Sequence, residues 1–288
     1  MNPVFAFILL FFACIFSPDG IAAPKKKNDL EFQNAIRQAK LSMSQGNRRQ
    51  AILHLDKARE LGRSKVQLKE VSSRRILFAE QFVTSASFQK FQEAKGLSEV
   101  KRWDECIREI DSMEVKDQDN LLVLRLKSEC QSGLNLDGPA AKSLNTILEL
   151  IPADVGATYG LIELDLDQKR YDQGLSRLNG IEPASSAEME RYAILKARLL
   201  EGLARPLEAA EILKKDQETH LDHIEVLYHL GFLYTRLEGH DWPARRALSL
   251  FLTRCKRLKE SELKARKLDS LLPKAQEMLD SLDKKLGV

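Results

Sequence analysis

The sequence predicts an all-α protein, and three observations support this prediction. Apolar residues recur at helical rather than alternating spacing along the chain. The 288 residues include 9 prolines and 14 glycines, the residues that most often interrupt helices. A pattern of small residues and turns also repeats along the chain. Repetition of this kind indicates a stack of similar helical units.

The N-terminus has the pattern of an export signal. Residues 4–16 are continuously apolar, a run shorter than the roughly 20 residues that span a bilayer, and Gly20 and Ala22 suit signal cleavage. We therefore expect a cleaved signal peptide over residues 1–22 and a periplasmic or secreted protein. No Lys or Arg precedes the apolar run, and three lysines follow it at 25–27, so an uncleaved inner-membrane anchor through residues 4–16 stays open as the alternative.

Signal cleavage would leave Cys106, Cys130 and Cys255, so at least one thiol would lack an intramolecular partner. Their spacing matches no zinc-binding pattern. A disulfide between Cys106 and Cys130 would contribute roughly 3 kcal/mol. We favour the alternative, in which both are small apolar residues packed between helices.

The internal repeat is the strongest signal in the sequence. A small residue lies in one helix, a short turn follows, and the next helix carries small or apolar residues at i, i+4 and i+7. In the first unit these positions are Ala39, Gly46-Asn47, Ala51, Leu55 and Ala58. Further units start near Ser87, Leu121, Val155, Glu190 and Leu227. This phasing resembles the tetratricopeptide repeat (TPR) of about 34 residues, and Leu230, Gly231 and Tyr234 match its Leu-Gly-x-x-Tyr core.

The resemblance implies a TPR-like helical-hairpin solenoid, a right-handed superhelix of about six repeats over residues 30–258. Residues 23–29 are expected to be a flexible linker, and residues 259–288 a C-terminal capping helix that Pro273 kinks or divides. Residues 65–86 form an extra helix between the first two units. Because no Gly or Pro occurs there before Gly96, this helix is able to continue into the next one.

In the TPR family the first helices of the repeats line a concave groove that receives a peptide or a partner helix. Transferred position by position, the resemblance assigns a set of aromatic and charged side chains to this groove. These groove residues are Lys40, Phe91, Lys95, Arg125, Tyr159, Glu163, Arg198, Tyr228 and Phe232. An alternative stays open for the aromatic members, which would instead fill the core between repeats.

Other kinds of site find little support in the sequence. The net charge of +3 is spread over mixed charges with no basic stripe, so nucleic acid is not an expected partner. His220 and His223, with Asp222, Glu225 and His229 nearby, are the one cluster suited to a metal. No second cluster supplies further ligands, so we expect no metal and no cofactor. No nucleophile, phosphate-binding or zinc-protease motif occurs, and an enzyme is not expected.

These observations predict an exported protein–protein interaction scaffold or adaptor that holds a partner peptide or helix in its groove. The expected partners are envelope proteins of a secretion, motility or outer-membrane assembly complex, and membrane contact is expected only through an uncleaved signal peptide. One alternative is an accessory module of cell-wall metabolism that binds a glycan or a wall enzyme. Another is a structural role based on self-association through the groove or the unpaired cysteine.

Overall fold

A computed structural model describes residues 23–288 of the protein. Within this range the chain forms fifteen α-helices, one short 3₁₀ turn and no strands, which confirms the all-α prediction. No helix between residues 23 and 288 combines the length and apolar character that a bilayer span requires. The signal peptide expected at residues 1–22 lies outside the described range.

The helices form two compact units, which divide between Pro152 and Ala153. The helices of the first unit are α1 (Ala23–Ser44), α2 (Arg48–Leu61), α3 (Lys65–Glu80), α4 (Ser85–Glu99), α5 (Trp103–Asp111), α6 (Leu121–Gly133) and α7 (Asp137–Leu150). Those of the second unit are α8 (Val155–Asp167), α9 (Tyr171–Leu178), α10 (Ser186–Gly202), α11 (Pro206–Thr219), α12 (Ile224–Thr235), α13 (Asp241–Cys255), α14 (Glu260–Ala265) and α15 (Leu272–Leu286).

Six helix pairs form hairpins, and every hairpin turn contains one residue with positive φ. These residues are Gly46, Lys101, Asn135, Lys169, Ala204 and Gly239. A left-handed residue reverses the chain after a helix in only a few residues. Positions 101, 135 and 169 are successively one TPR period apart, so the turns follow the periodicity predicted from the sequence.

Small buried residues let the two helices of each hairpin approach closely. In the first hairpin Ala39 of α1 and Ala51 and Ala58 of α2 are fully buried and pack with Leu55. Small residues at the matching positions of the later hairpins are buried as well: Ala94, Cys106, Ser128, Ala140, Gly174, Ala197, Ala209 and Ala247. The apolar stripe of each helix therefore closes against its neighbours, as stacked repeats require.

Three segments differ in detail from the sequence predictions. The extra helix α3 ends at Glu80 and does not continue into α4, because the side chain of Thr84 caps α4 by accepting the backbone N–H of Ser87 at 3.2 Å. Residues 23–29, expected as a linker, are helical and form the start of α1. The C-terminal segment is divided into α14 and α15, which is one of the two predicted outcomes, but the break lies at residues 266–271, before Pro273. Pro273 itself lies in the first turn of α15, where proline is tolerated.

Cys106 of α5 and Cys130 of α6 form a disulfide, so the favoured prediction of two unbonded cysteines is wrong. The bond joins successive hairpins inside a core that contains Ala94, Ile110 and Val123. Cys255 of α13 is a free thiol and is buried. Burial raises the pKa of the Cys255 thiol, which disfavours the reactive thiolate and with it self-association through this residue.

Removing the disulfide is expected to destabilise the first unit. The double substitution Cys106→Ala and Cys130→Ala should lower the free energy of unfolding by about 3 kcal/mol, because the unfolded chain loses its loop constraint. Urea unfolding followed by circular dichroism measures this change. Reductant should destabilise the native chain and the control variant Cys255→Ala, because both contain the disulfide. It should not destabilise the double variant, which lacks it. Equal stability of the native chain with and without reductant would contradict the prediction.

Candidate functional site

The groove residues of the first unit lie on α1, α4 and α6. Lys40 and Lys95 are exposed, and the guanidinium of exposed Arg125 lies 3.8 Å from the carboxylate of Glu80. Phe91 is half-buried, and its ring centroid lies 5.3 Å from that of Phe82 at the edge of the α4–α6 core. Phe91 therefore contributes to packing, whereas the two lysines extend into solvent.

Tyr159 and Glu163 of α8 are engaged with α10 in the second unit. The hydroxyl of buried Tyr159 donates to the carbonyl oxygen of Glu188 at 2.9 Å. Arg191 lies over the Tyr159 ring at 5.1 Å and pairs with Glu163 at 2.9 Å. Burial, the main cause, raises the pKa of Tyr159 to about 12. Tyr159 thus joins neighbouring repeats and offers little surface to a partner.

Arg198, Tyr228 and Phe232 border a single cavity of about 280 Å³ in the second unit. The cavity lies among α10, α11, α12 and the start of α15. The buried side chains of Ala197, Leu213 and Leu233 line it together with more polar residues, which are Glu201, His229 and Lys274. Three of the groove residues assigned from the sequence are therefore brought together at one apolar depression with a charged edge.

The two aromatic residues of this cavity differ in exposure. Tyr228 is 8% exposed, and its ring packs against Phe251 with 5.6 Å between the centroids. Burial also raises the pKa of the Tyr228 phenol. Phe232 is only half-buried, and the guanidinium of Arg236 lies 4.4 Å from its ring centroid. Phe232 is consequently the aromatic side chain with more surface available for contact.

A second cavity of about 450 Å³ adjoins the first in the same unit. Arg198 and Glu201 border both cavities, and Tyr171 and Arg236 border the second. Glu201 is paired with Arg236, which leaves Arg198 and Lys274 as a positive excess around the depression. The two cavities together are named the α10–α12 groove: the first has an apolar base, the second is mainly polar, and the shared edge is basic.

His220 and His223, the two histidines considered for a metal, lie at the two ends of the turn between α11 and α12. His220 follows the last residue of α11, and His223 immediately precedes the first residue of α12. Both Nδ1 atoms face Asp216, at 3.3 Å from His220 and 2.7 Å from His223. His229 lies elsewhere, 3.5 Å from Glu225. The sequence analysis did not include Asp216 in this cluster. Its position four residues before His220 could have indicated it, because residues four apart on a helix are neighbours.

Polar groups from α10 surround this turn. Ser186 lies 2.7 Å from Asp222 and 3.0 Å from Nε2 of His223, and the hydrogen bond from Ser186 lowers the pKa of Asp222. Glu190 is buried and accepts the N–H of Glu225 at 2.8 Å. Burial raises the pKa of Glu190 despite an opposing ion pair with Arg266. The sequence pattern alone indicated neither Ser186 nor Glu190.

The fold is all-α and of the TPR-like helical solenoid class, as the hairpins, their turns and their buried small residues establish. Among solved structures, the chain is similar to a thermophilic TPR protein of Thermus thermophilus, with 18% identity, a TM-score of 0.51, and coverage of 65% of this chain and 100% of that one. It is also similar to a tetratricopeptide repeat protein from Parabacteroides merdae, with 13% identity, a TM-score of 0.50, and coverage of 88% and 98%. No protein-family model matches the sequence, and neither does any curated protein. At these identities the likeness concerns the fold.

Proposed function

We propose that this protein is an exported scaffold that binds a segment of another protein in the α10–α12 groove. The observation that supports this function is the cavity bordered by Arg198, Tyr228 and Phe232. An aromatic side chain with charged neighbours around an apolar depression is typical of protein-binding surfaces. No nucleophile, cofactor or catalytic motif is part of the proposal.

The chemistry of the groove favours a particular kind of partner segment. The cavity of about 280 Å³ is slightly smaller than the roughly 300–1,000 Å³ of small-molecule pockets, and it is open to solvent. It suits one large apolar side chain of a peptide or helix, inserted beside Phe232. Arg198 and Lys274 at the edge favour carboxylates next to that side chain. The proposed partner segment is therefore acidic with an apolar anchor.

Two observations support export. The sequence has an apolar run at residues 4–16 followed by small residues at 20 and 22, as signal peptides do. The structure contains a disulfide between Cys106 and Cys130, and such bonds persist mainly in oxidising compartments. We place the protein in the periplasm or outside the cell, with envelope proteins as its partners.

Site-specific crosslinking in cells tests the binding surface. A photoreactive amino acid in place of Leu271, an uncharged residue that borders the cavity, should capture a small set of envelope proteins. Phe232→Ala or Arg198→Glu in the same chain should reduce this capture at least about tenfold, because the anchor contact or the charge complementarity is lost. Mass spectrometry of the captured chain also identifies its N-terminus.

The matched control places the same photoreactive residue at Leu207, an exposed position on α11 that does not border the cavity. Capture that is equal from both positions, or that survives both substitutions, would refute the groove assignment. An N-terminus at residue 23 supports export, whereas an intact Met1 in a cytoplasmic fraction would refute it.

A further inference from the structure

Two histidines and one carboxylate meet at the turn that connects α11 to α12. One ligand atom from each of Asp216, His220 and His223 lies within 4.8 Å of the others. The side chain of His223 is 1% exposed, that of Asp216 is 10% exposed, and that of His220 is 32% exposed. The cluster is thus enclosed on the protein side and reachable from solvent beside His220.

The hydrogen bonds of Ser186 and Asp216 hold the ring of His223 from both sides. Asp222 is a carboxylate and only accepts, so the Ser186 hydroxyl donates to it at 2.7 Å. The Ser186 oxygen is then left to accept from Nε2–H of His223 at 3.0 Å. Nδ1 of His223 lies 2.7 Å from Oδ2 of Asp216, which only accepts, so Nδ1–H donates to this carboxylate unless a cation takes the place of the proton.

His220 meets the other oxygen of the same carboxylate. Its Nδ1 is buried and has no hydrogen-bond partner in the described part of the chain, although it lies 3.3 Å from Oδ1 of Asp216. The two imidazole rings are stacked, with 4.5 Å between centroids and 19° between planes. Two imidazolium ions at this separation would repel each other, and Asp216 would neutralise only one. A divalent cation that displaces the proton between His223 and Asp216 would also give Nδ1 of His220 a partner.

We propose that Asp216, His220 and His223 bind one divalent transition-metal ion of the zinc class. The two histidines would coordinate through Nδ1 and Asp216 through its carboxylate, with solvent in the remaining position. Imidazole and carboxylate together suit Zn²⁺ and similar ions better than Ca²⁺ or Mg²⁺. Bonds of about 2.0–2.1 Å place tetrahedral ligand atoms about 3.3 Å from one another. Nδ1 of His223 and Oδ2 of Asp216, 2.7 Å apart, would therefore separate slightly, and ligand atoms up to 4.8 Å apart would approach.

The surroundings suit this site. Ser186 holds Nε2 of His223, the kind of outer hydrogen bond that orients metal-binding histidines. Two arginines near the turn, Arg254 and Arg266, could repel a bound cation, but each is engaged by other groups. Arg254 donates to the carbonyl of Leu221 at 2.6 Å, and Arg266 pairs with Glu190. Because Ser186 belongs to α10, a bound ion would also hold the α11–α12 turn against the preceding repeat. The site is independent of the proposed partner groove.

Metal titration of the full-length chain, purified without a histidine tag and after chelator treatment, tests this proposal. Calorimetry with Zn²⁺ should give one ion per chain, and Co²⁺ should give the visible absorption of a four-coordinate site. Zn²⁺ should also raise the midpoint of thermal unfolding. His220→Ala should weaken binding by more than about 100-fold, and Ser186→Ala by about 10- to 100-fold.

His54→Ala is the matched control, because His54 lies on α2, outside the cluster, where its ring is 3.3 Å from the side chain of Gln50. It should bind Zn²⁺ as the native chain does. Asp216→Asn keeps the shape of the turn and serves as a second variant if His220→Ala does not fold. Absence of stoichiometric binding, or native affinity in His220→Ala or in Asp216→Asn, would overturn the proposal.

Discussion

Replacing Arg48 with methionine is expected to lower the free energy of unfolding of the first unit by about 3–5 kcal/mol. Arg48 begins α2, and its side chain is fully buried beside the buried carboxylate of Asp117. The guanidinium donates to the backbone carbonyls of three residues, at 2.8 to 3.0 Å: Phe78, Lys116 and Gln81. Methionine fills similar volume but leaves these carbonyls and Asp117 without their cation.

The expected effect is large because the network connects distant parts of the chain. Asp117 also accepts the backbone N–H groups of Val83 and Thr84, at 2.8 and 3.1 Å. Arg48 and Asp117 therefore hold together α2, the loop after α3 and the turn before α6. A buried charge that loses its partner destabilises far more than a broken surface pair.

Urea unfolding followed by tryptophan fluorescence measures the stability of each unit separately. The chain has 2 tryptophans, and Trp242→Phe leaves Trp103 as the reporter of the first unit. Arg49→Met is the matched control, since the Arg49 side chain is 60% exposed and its ion pairs with Asp119 and Glu149 are 3.6 and 3.7 Å long. It should change stability by less than about 1 kcal/mol. Equal urea midpoints for the two variants would contradict the role assigned to Arg48.

Gly231→Ala is expected to destabilise the second unit by about 1–3 kcal/mol. Gly231 lies within α12, where alanine would ordinarily favour the helix by about 1 kcal/mol. Here an added Cβ would lie 2.6 Å from Cγ of Leu248 and 3.3 Å from its backbone nitrogen. Leu248 belongs to α13 and is fully buried. Because it has no free space to move into, α12 and α13 would have to separate.

Gly96→Ala is the matched control, because it is also a glycine within a helix but an added Cβ meets nothing within 4 Å. This substitution should stabilise its unit by up to about 1 kcal/mol. Thermal and urea unfolding, followed by circular dichroism and by the tryptophan of each unit, gives the sign of both changes. Stabilisation by Gly231→Ala would show that α12 and α13 do not need this close approach.

The candidate sites were only partly predictable from the sequence. Arg198, Tyr228 and Phe232 were named from the repeat phasing and border one cavity, because repeat position determines which helix face a residue occupies. Tyr159 was named by the same argument, yet it is buried against α10. Repeat phasing places a side chain on a face but does not determine how much of it the next repeat covers.

The sequence by itself determined the helical hairpins, their turns and the small residues between them. These features follow from local rules, since helical spacing, left-handed turn residues and small-residue phasing all act within one repeat. Only the tertiary structure decided the burial of Arg48 with Asp117, the Cys106–Cys130 bond and the approach of Asp216 to His220 and His223. Nothing in the local pattern separates Arg48 from its exposed neighbour Arg49. Their difference arises because the loop after α3 and the turn before α6 surround one side chain and not the other.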